Sequence, residues 1–594
     1  MTIANADVAA VFSRIADLLE VQGANPFRIR AYRNAARNVG ELGRSVAAMV
    51  EAGEDLDPLP GIGPDLAGKI AEIVATGTCD QLERLREELP PAITELLAIP
   101  RLGPKRVRTL HQELGVKTIA ELLRCARGGR IRAVPGFGPK MERLILEAAT
   151  ARAAQERRLK LPVAAQIAQG MLRELQAVPG VRQAVAAGSL RRMRDTVGDL
   201  DLLVTAERGS PVMQRFTQGP QVERVVSRGT TRATVVLRNG VQVDLRAVQP
   251  ASFGSAWLYF TGSKAHNIAL RRLAQEAGLK LNEYGLFRDH ERIAGETELS
   301  VYRELGLPFI DPELREDRGE IEVARARRLP RLVRLADLRG DLHAHTSDSD
   351  GRDSIEAMAQ AALARGWSYL AITDHSQRLA VARGLDAGRL ARQIDRIDAL
   401  NARLQGIVLL KGVEVDILED GSLDLPDAIL GRLDLVIGAV HHRFDLPRER
   451  QTARLLRAME HRYFTILAHP TGRLIDERGP SDIDLPRVIR AARERGCCLE
   501  CNAQPERLDL TDLACRIARD EGVLVSIASD AHGVLEFGHL EHGVATARRG
   551  WLRAADVLNT RSLDDLRPLL AATMGRAAPS PAGAPHRRAA IHAA

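Results

Sequence analysis

Between residues 341 and 532, six short apolar runs each end in a residue that can bind a metal, and each is followed by a helical pattern. The runs are Asp341-Leu342-His343-Ala344-His345, Leu370 to His375, Val413-Glu414-Val415, Leu435 to His441, Ile466 to His469, and Val525 to His532. Apolar runs of this length with polar boundaries read as buried strands. Strands alternating with helices build a parallel sheet, and a barrel brings the C-terminal strand ends to one mouth. One histidine after a strand is ordinary, but the same placement at six strand ends predicts a metal centre. Mixed imidazole and carboxylate ligands suit Zn²⁺ or Mn²⁺, and such a centre activates water for attack on a phosphate ester.

A second cluster of chemistry lies upstream. In Gly188-Ser189-Leu190-Arg191-Arg192 through Asp199-Leu200-Asp201-Leu202-Leu203-Val204, the last six residues read as a strand with Asp199 and Asp201 on one face. A further alternating strand, Val241 to Arg246, carries Asp244. Three carboxylates on neighbouring strands suit Mg²⁺ or Mn²⁺ and a two-metal phosphoryl transfer. The hydroxyl of Ser189 and the guanidinium groups of Arg191 and Arg192 are placed to grip a triphosphate.

The first 150 residues hold an internal repeat. Leu59-Pro60-Gly61-Ile62-Gly63-Pro64, Ile99-Pro100-Arg101-Leu102-Gly103-Pro104 and Val134-Pro135-Gly136-Phe137-Gly138-Pro139 each precede a helical pattern, with Lys105, Arg106 and Lys140 close by. Glycine permits the tight turn, and the next helix offers free N–H groups at its positive end. These are helix-hairpin-helix phosphate clamps, which hold backbone without reading bases and predict salt-sensitive binding. The middle copy departs by carrying Arg101 where the others have glycine. A net charge of +7 agrees with a polyanionic partner. No uncharged apolar run suits a membrane span, and the N-terminus lacks the pattern of a secretion signal, so the expectation is a cytoplasmic, nucleoid-associated enzyme. Cys498 and Cys501 form a C-x-x-C without a second pair and read as core thiols.

The Gly-Ser, Asp-x-Asp and third-Asp signatures, in this order, resemble the family X DNA polymerases. The resemblance makes Asp199, Asp201 and Asp244 the catalytic metal ligands, and Ser189 and Arg192 the triphosphate grip, with Gly188 and Gly198 allowing close approach. It makes Tyr259-Phe260-Thr261-Gly262 the sugar-binding turn and sets Asn267 and Arg271 toward nucleotide and template. Gly61, Gly63, Gly103, Lys105, Gly136, Gly138 and Lys140 would hold DNA on either side of a gap. Lys69 matches the Schiff-base lysine by which some relatives excise an abasic sugar phosphate. The C-terminal pattern resembles the polymerase and histidinol phosphatase (PHP) domain. That resemblance implies a trinuclear Mn²⁺ and/or Zn²⁺ centre held by His343, His345, Asp350, His375, Glu414, His441, His469, Asp530 and His532, with Glu414 as bridge.

The expected layout is multidomain: a helical helix-hairpin-helix N-terminal region, an α+β nucleotidyltransferase palm, and a C-terminal α/β distorted TIM-like PHP barrel. Its boundaries are 1–90, a DNA-end-binding domain with the first clamp; 91–155, two further clamps; 156–250, the palm; 251–311, a nucleotide-selecting subdomain; 312–340, a connector; 341–571, a PHP nuclease domain; and 572–594, a disordered tail. The resemblance implies a monomeric polymerase that fills short gaps in gapped or primer-template DNA with dNTPs, coupled to a 3′→5′ exonuclease with abasic-site endonuclease or 3′-phosphodiesterase activity. The alternative is a DNA-end-binding protein whose PHP domain acts as a small-molecule phosphatase.

Overall fold

The structure is a computed structural model that describes residues 3–575 except 4, 41, 43, 89–95, 98, 100, 101, 155–157 and 208. It divides into two compact units, Met1–Leu329 and Pro330–Ala594. Arg101 and the tail from 576 onward fall outside the described residues. No helix among the described residues is long and apolar enough to cross a membrane.

The first unit opens with helices. Its three repeated turns share one backbone bond: the N–H groups of Ile62, Leu102 and Phe137 donate to the carbonyls of Leu59, Ile99 and Val134, each at 3.0 Å. Those three donors' side chains are buried and anchor the turns. Gly61 and Gly136 have φ of +69° and +84°, which a side chain disfavours. Helices Pro64–Thr76, Pro104–Leu114 and Pro139–Ala154 follow, each opening on the proline of its turn. Proline fits there because its missing N–H would have had no partner in the helix.

Next comes a five-stranded sheet in the order Val181–Ala186, Asp199–Ala206, Gln242–Val248, Arg232–Leu237, Val222–Arg228. Asp199–Ala206 runs antiparallel to the first strand and parallel to Gln242–Val248, with Asp201 in register with Asp244. Alternation explains the two faces: Leu200, Leu202, Val243 and Leu245 pack with Ile167 and Met171 of helix Leu161–Gln176, leaving the aspartates on the other side. Helices Phe253–Thr261 and Lys264–Glu276 and a three-stranded sheet complete the unit.

The start of the segment expected as a connector is anchored in this unit by buried charge. Arg315 Nη1 meets Glu298 Oε1 at 2.7 Å, and Glu320 Oε1 meets His266 Nδ1 at 2.6 Å. Burial alone would raise the Glu298 carboxyl, but Arg191 and Arg315 outweigh it and hold it below the usual carboxylate range.

The second unit is a ring of parallel strands. A three-stranded sheet (Gly340–Asp341, Tyr369–Ile372, Val408–Lys411) and a five-stranded sheet (Glu414–Asp416, Ile437–Ala439, Ile466–Leu467, Cys498–Asn502, Val525–Ala528) share a seam. Val408–Lys411 and Glu414–Asp416 are one run of chain broken at Gly412 and Val413, each half pairing with a different neighbour. Parallel bridges His375–Glu414 and Ala344–Ala531 join the two sheets on either side. Cys498 and Cys501 are buried in their strand, and all six cysteines are free thiols. Helix Leu563–Thr573 runs past the expected start of the tail at 572.

Candidate active sites

In the first unit, all the residues expected to contact the nucleotide except Arg191 line one cavity of about 680 Å³, together with Asp199 and Asp201. Gly188 sits in the left-handed region at φ +61°, and a Cβ there would lie 2.2 Å from Asp201 Oδ2. Only glycine lets the turn and the carboxylate share this space. Asp244 is buried, its Oδ1 accepting from Thr234 at 2.6 Å and its Oδ2 from Gln242 at 2.8 Å. Burial, then the carboxylates of Asp199 and Asp244, push the Asp201 carboxyl up to about 7. Crowded acids that resist ionisation are what a divalent cation relieves, so the donor set fits Mg²⁺ or Mn²⁺.

Arg192 borders the same cavity, with Nε 3.1 Å from Glu316 Oε1 and Nη1 donating to the Thr261 carbonyl. Asn267 donates through Nδ2 to the Tyr259 carbonyl at 2.7 Å, fixing the aromatic turn. Arg191 corrects the sequence reading. Its guanidinium does not line the cavity; it is paired with Glu298 at 2.6 Å and stacked 3.4 Å from the Trp257 ring centroid. Of two adjacent arginines on a short helix, only one can face the substrate. Sequence reasoning missed Arg158, Arg194 and Lys264, which also line the cavity. Lys264 stands two residues after Gly262, and that proximity was the available signal.

In the second unit the strand ends converge as expected. Glu414 is central: Oε2 lies 2.7 Å from His375 Nδ1, 3.5 Å from His343 Nε2 and 3.6 Å from His345 Nε2, and Oε1 lies 2.9 Å from His469 Nε2 and 3.3 Å from His441 Nε2. Asp530 Oδ1 stands 3.1 Å from His345 Nε2, while Asp350 faces His375 Nε2 at 3.7 Å and His532 Nε2 at 3.5 Å. Three overlapping groups could each hold an ion: His345, Asp350, His375 and His532; His343, His345 and Asp530; and His375, Glu414 and His441. His343 Nε2, His345 Nδ1 and His469 Nδ1 are buried with no hydrogen-bond partner among the described residues. So many unpartnered atoms in one place are costly without a ligand, and the set fits a cluster of divalent ions.

Around these residues runs a layer of acids that the sequence reading did not single out. Glu500 Oε1 meets His343 Nδ1 at 2.6 Å, and its Oε2 accepts from the His469 N–H at 2.7 Å. Asp416 Oδ1 meets His441 Nδ1 at 2.7 Å. Asn502 bridges Glu500 and Asp530 at 3.1 and 3.0 Å. Such partners fix which imidazole nitrogen faces the metal. Asp416, two residues after Glu414 on the same strand face, was a legible signal; Glu500, between Leu499 and Cys501, read as part of an apolar strand.

The clamp glycines are open. Among the described residues, a Cβ on Gly63, Gly103, Gly136 or Gly138 would meet nothing within 4 Å, and one on Gly61 would meet only the Asn38 side chain at 3.0 Å and Asn34 Cβ at 4.0 Å. Lys105 and Lys140 are exposed beside them. Lys69 is mostly buried and ion-paired with the exposed carboxylate of Asp65. Burial pulls its amine down, but the Asp65 bond outweighs this and raises it above the usual lysine value.

Comparisons with known proteins agree with this geometry. Family models match as a helix-hairpin-helix domain over residues 3–79, a SAM-like helix-hairpin-helix tandem over 93–151, a DNA polymerase beta thumb over 256–316 and a PHP domain over 341–494. The chain is 38% identical over 568 residues to the DNA polymerase/3′-5′ exonuclease PolX of Bacillus subtilis (strain 168), covering 95% of this chain and 99% of that protein. It is 27% identical over 333 residues to DNA polymerase lambda of Rattus norvegicus, covering 51% of this chain and 54% of the other. A probable phosphatase of Thermoanaerobacter sp. (strain X514) is 29% identical over 231 residues, 37% of this chain and 89% of its own length.

Proposed function

The chain belongs to the family X DNA polymerases that carry a PHP domain, and from that premise we propose that it fills short gaps in DNA by templated addition of dNTPs and trims 3′ ends in its PHP domain. The observation that carries the polymerase half is the parallel register of Asp201 with the buried Asp244, beside a cavity that Asp199 and Asp201 line together with Ser189, Arg192 and Tyr259. Asp199, Asp201 and Asp244 would hold Mg²⁺ or Mn²⁺. The PHP residues, with Glu414 at their centre, would hold three ions, Mn²⁺ and/or Zn²⁺. When bound, these cations supply Lewis acidity, lowering the pKa of the attacking hydroxyl or water and offsetting charge on the leaving group.

The chain's own residues do the rest. Ser189 and Arg192 grip the triphosphate, and Gly188 and Gly198 keep the backbone close to it. Tyr259, Phe260 and Gly262 seat the sugar, with Asn267 holding the turn and Arg271 facing the nucleotide and template. In the PHP domain, Glu500 and Asp416 hold His343 and His441 in the orientation the ions require. The clamps, through Gly61, Gly63, Gly103, Lys105, Gly136, Gly138 and Lys140, take the DNA backbone on either side of the gap. We expect the protein to act as a monomer, in the cytoplasm at the nucleoid.

A labelled one-nucleotide gap, incubated with Mg²⁺ or Mn²⁺ with and without dNTPs, tests both halves at once. Asp201→Ala should abolish extension and leave gap binding, while His343→Ala with Asp530→Ala should abolish shortening and leave extension. Failure of the unmodified protein to extend the primer would remove the polymerase reading. The match to a probable phosphatase favours a second reading of the C-terminal half. Faster release of phosphate from small phosphomonoesters than of nucleotides from a primer would select it.

A further inference from the structure

Beside the PHP metal centre is a second cavity of about 330 Å³ that the reaction above does not use. Its walls carry Arg383, Arg389, Arg392 and Arg396 against the single acid Asp348. Two of these arginines build the walls. Arg389 Nη1 donates to the carbonyls of Arg383 at 2.6 Å and Gly384 at 3.0 Å, and its Nη2 donates to the Asp348 carbonyl. Arg396 pairs with Glu356 at 2.7 Å and with Asp348 at 3.4 Å. Gln393 also donates to the Asp348 carboxylate, at 2.9 Å, so that acid is already occupied.

The other two arginines are uncommitted. The exposed Arg383 and Arg392 side chains make no hydrogen bond or ion pair among the described residues. Arg383 holds φ at +56°, a conformation uncommon outside glycine. Gln393 supplies an independent sign of a ligand. It borders the cavity, is 3% exposed, and its Oε1 has no hydrogen-bond partner among the described residues. A buried acceptor beside two free guanidinium groups calls for a ligand with both negative charge and a donor, as a nucleotide unit has.

The cavity and the metal centre share a wall. Ser347 and Asp348 lie in the turn between His345 and Asp350, both metal-capable, and Gln393 donates to Asp374, next to His375, at 2.6 Å. Two residues of extended chain span at most about 7 Å, so the turn that carries Ser347 and Asp348 keeps this cavity next to the metal-capable His345 and Asp350. A strand whose last phosphodiester is at the metal centre therefore has its preceding phosphates within reach of this cavity.

We propose that the cavity is a phosphate subsite for single-stranded DNA, in which Arg383 and Arg392 hold the backbone one to three nucleotides before the bond being cut. This rests on the nuclease reading of the PHP domain. It also explains how that centre would prefer a polynucleotide to a small phosphomonoester, which has no further phosphates to place there.

The test uses the full chain loaded with Mn²⁺ and compares kcat/KM for a single-stranded oligonucleotide with that for bis(p-nitrophenyl) phosphate, a diester with no upstream phosphates. In Arg383→Ala combined with Arg392→Ala, the ratio of the two should fall at least tenfold, chiefly through KM. The slope of log kcat/KM against log salt should become shallower by about 0.7 for each arginine removed. The paired Arg→Lys variant should restore the slope. An unchanged ratio overturns the subsite, as does a parallel fall on both substrates, which would assign the arginines to the fold or the metal centre. A wild-type protein that cleaves the small diester but no oligonucleotide defeats the nuclease reading instead. Inhibition of the small-diester reaction by a phosphorothioate trinucleotide, weaker in the double variant if the subsite exists, then decides the cavity separately.

Discussion

Gly188 and Asp201 occupy the same space by turns of design: the carboxylate Oδ2 stands 2.2 Å from where a Cβ on Gly188 would be. The glycine is thus set by the acid as much as by its own φ of +61°. Gly188→Ala should displace Asp201 by a fraction of an ångström or more and lower nucleotide addition about 100-fold, the scale of a 1 Å misplacement at a reacting centre. Binding of the same preparation to gapped DNA controls for the fold of the first unit. Normal primer extension by this variant would mean that Asp201 does not need its present position.

The Asp201 carboxyl titrates near 7 without metal, because burial and then Asp199 and Asp244 resist its ionisation. A raised carboxyl pKa costs stability as pH rises from about 4 to 7, since the unfolded chain ionises first. Asp201→Asn should therefore stabilise the metal-free protein at pH 8 by about 1–3 kcal/mol, with the gain shrinking as pH falls and gone by about pH 4. Thermal unfolding in EDTA at the two pH values measures it. In the unmodified enzyme, Mg²⁺ must displace that proton, so the metal needed for half-maximal extension should fall as pH rises through 7.

Glu500 holds the Nδ1 side of His343 at 2.6 Å. Glu500→Gln should weaken metal binding in the PHP domain by about 10–100-fold, and Asp416→Asn should do the same through His441. Metal titration read by inductively coupled plasma analysis, rather than activity, is the measurement. Full occupancy at wild-type affinity in both variants would reduce these acids to packing.

Metal uptake by the PHP domain should release protons. Burial pulls His441 and His532 down, but Glu414 and Asp416 around the first, and Asp350 and Asp530 around the second, outweigh it and hold both rings at about 9. Both are protonated at pH 7.5 in the metal-free protein and must be neutral to bind an ion. Apparent affinity should rise with pH up to about 9, and calorimetry in buffers of different ionisation enthalpy should report the protons. Binding without proton release would place the ions elsewhere.

Lys69 is protonated more firmly than a free lysine because Asp65 outweighs its burial. Schiff-base chemistry needs the neutral amine. Borohydride trapping on an abasic 5′ end should be slow at pH 7.5, should rise severalfold in Asp65→Ala, and should vanish in Lys69→Ala. Rapid trapping by the unmodified protein would show that DNA itself displaces Asp65.

The elements with strong local rules were legible. Glycine and proline spacing specified the three turns, and the middle one keeps its Leu102–Ile99 bond at 3.0 Å although its first glycine is replaced by Arg101. Period-two alternation separated Leu200 from Asp199 and Asp201, and strand-end placement gathered the PHP histidines. What stayed hidden depends on tertiary pairing. Arg191 and Arg192 are chemically alike in the chain, and their distant partners distinguish them, Glu298 and Trp257 for the first and Glu316 for the second. Glu500 sits among apolar neighbours, so its use emerges only when His343 is folded against it. The break at Gly412 and Val413 likewise depends on two neighbouring strands that the local sequence does not name.

Arg192 is already engaged, with Glu316 and with the Thr261 carbonyl. On the proposed reading a triphosphate competes with Glu316 for this guanidinium, and Arg194, 3.9 Å from Glu316, stands ready to pair with the carboxylate released. Entry to the cavity is therefore a contest between anions for one guanidinium. A nucleoside monophosphate, with fewer charges to set against Glu316, should lose that contest and leave the turn as it was.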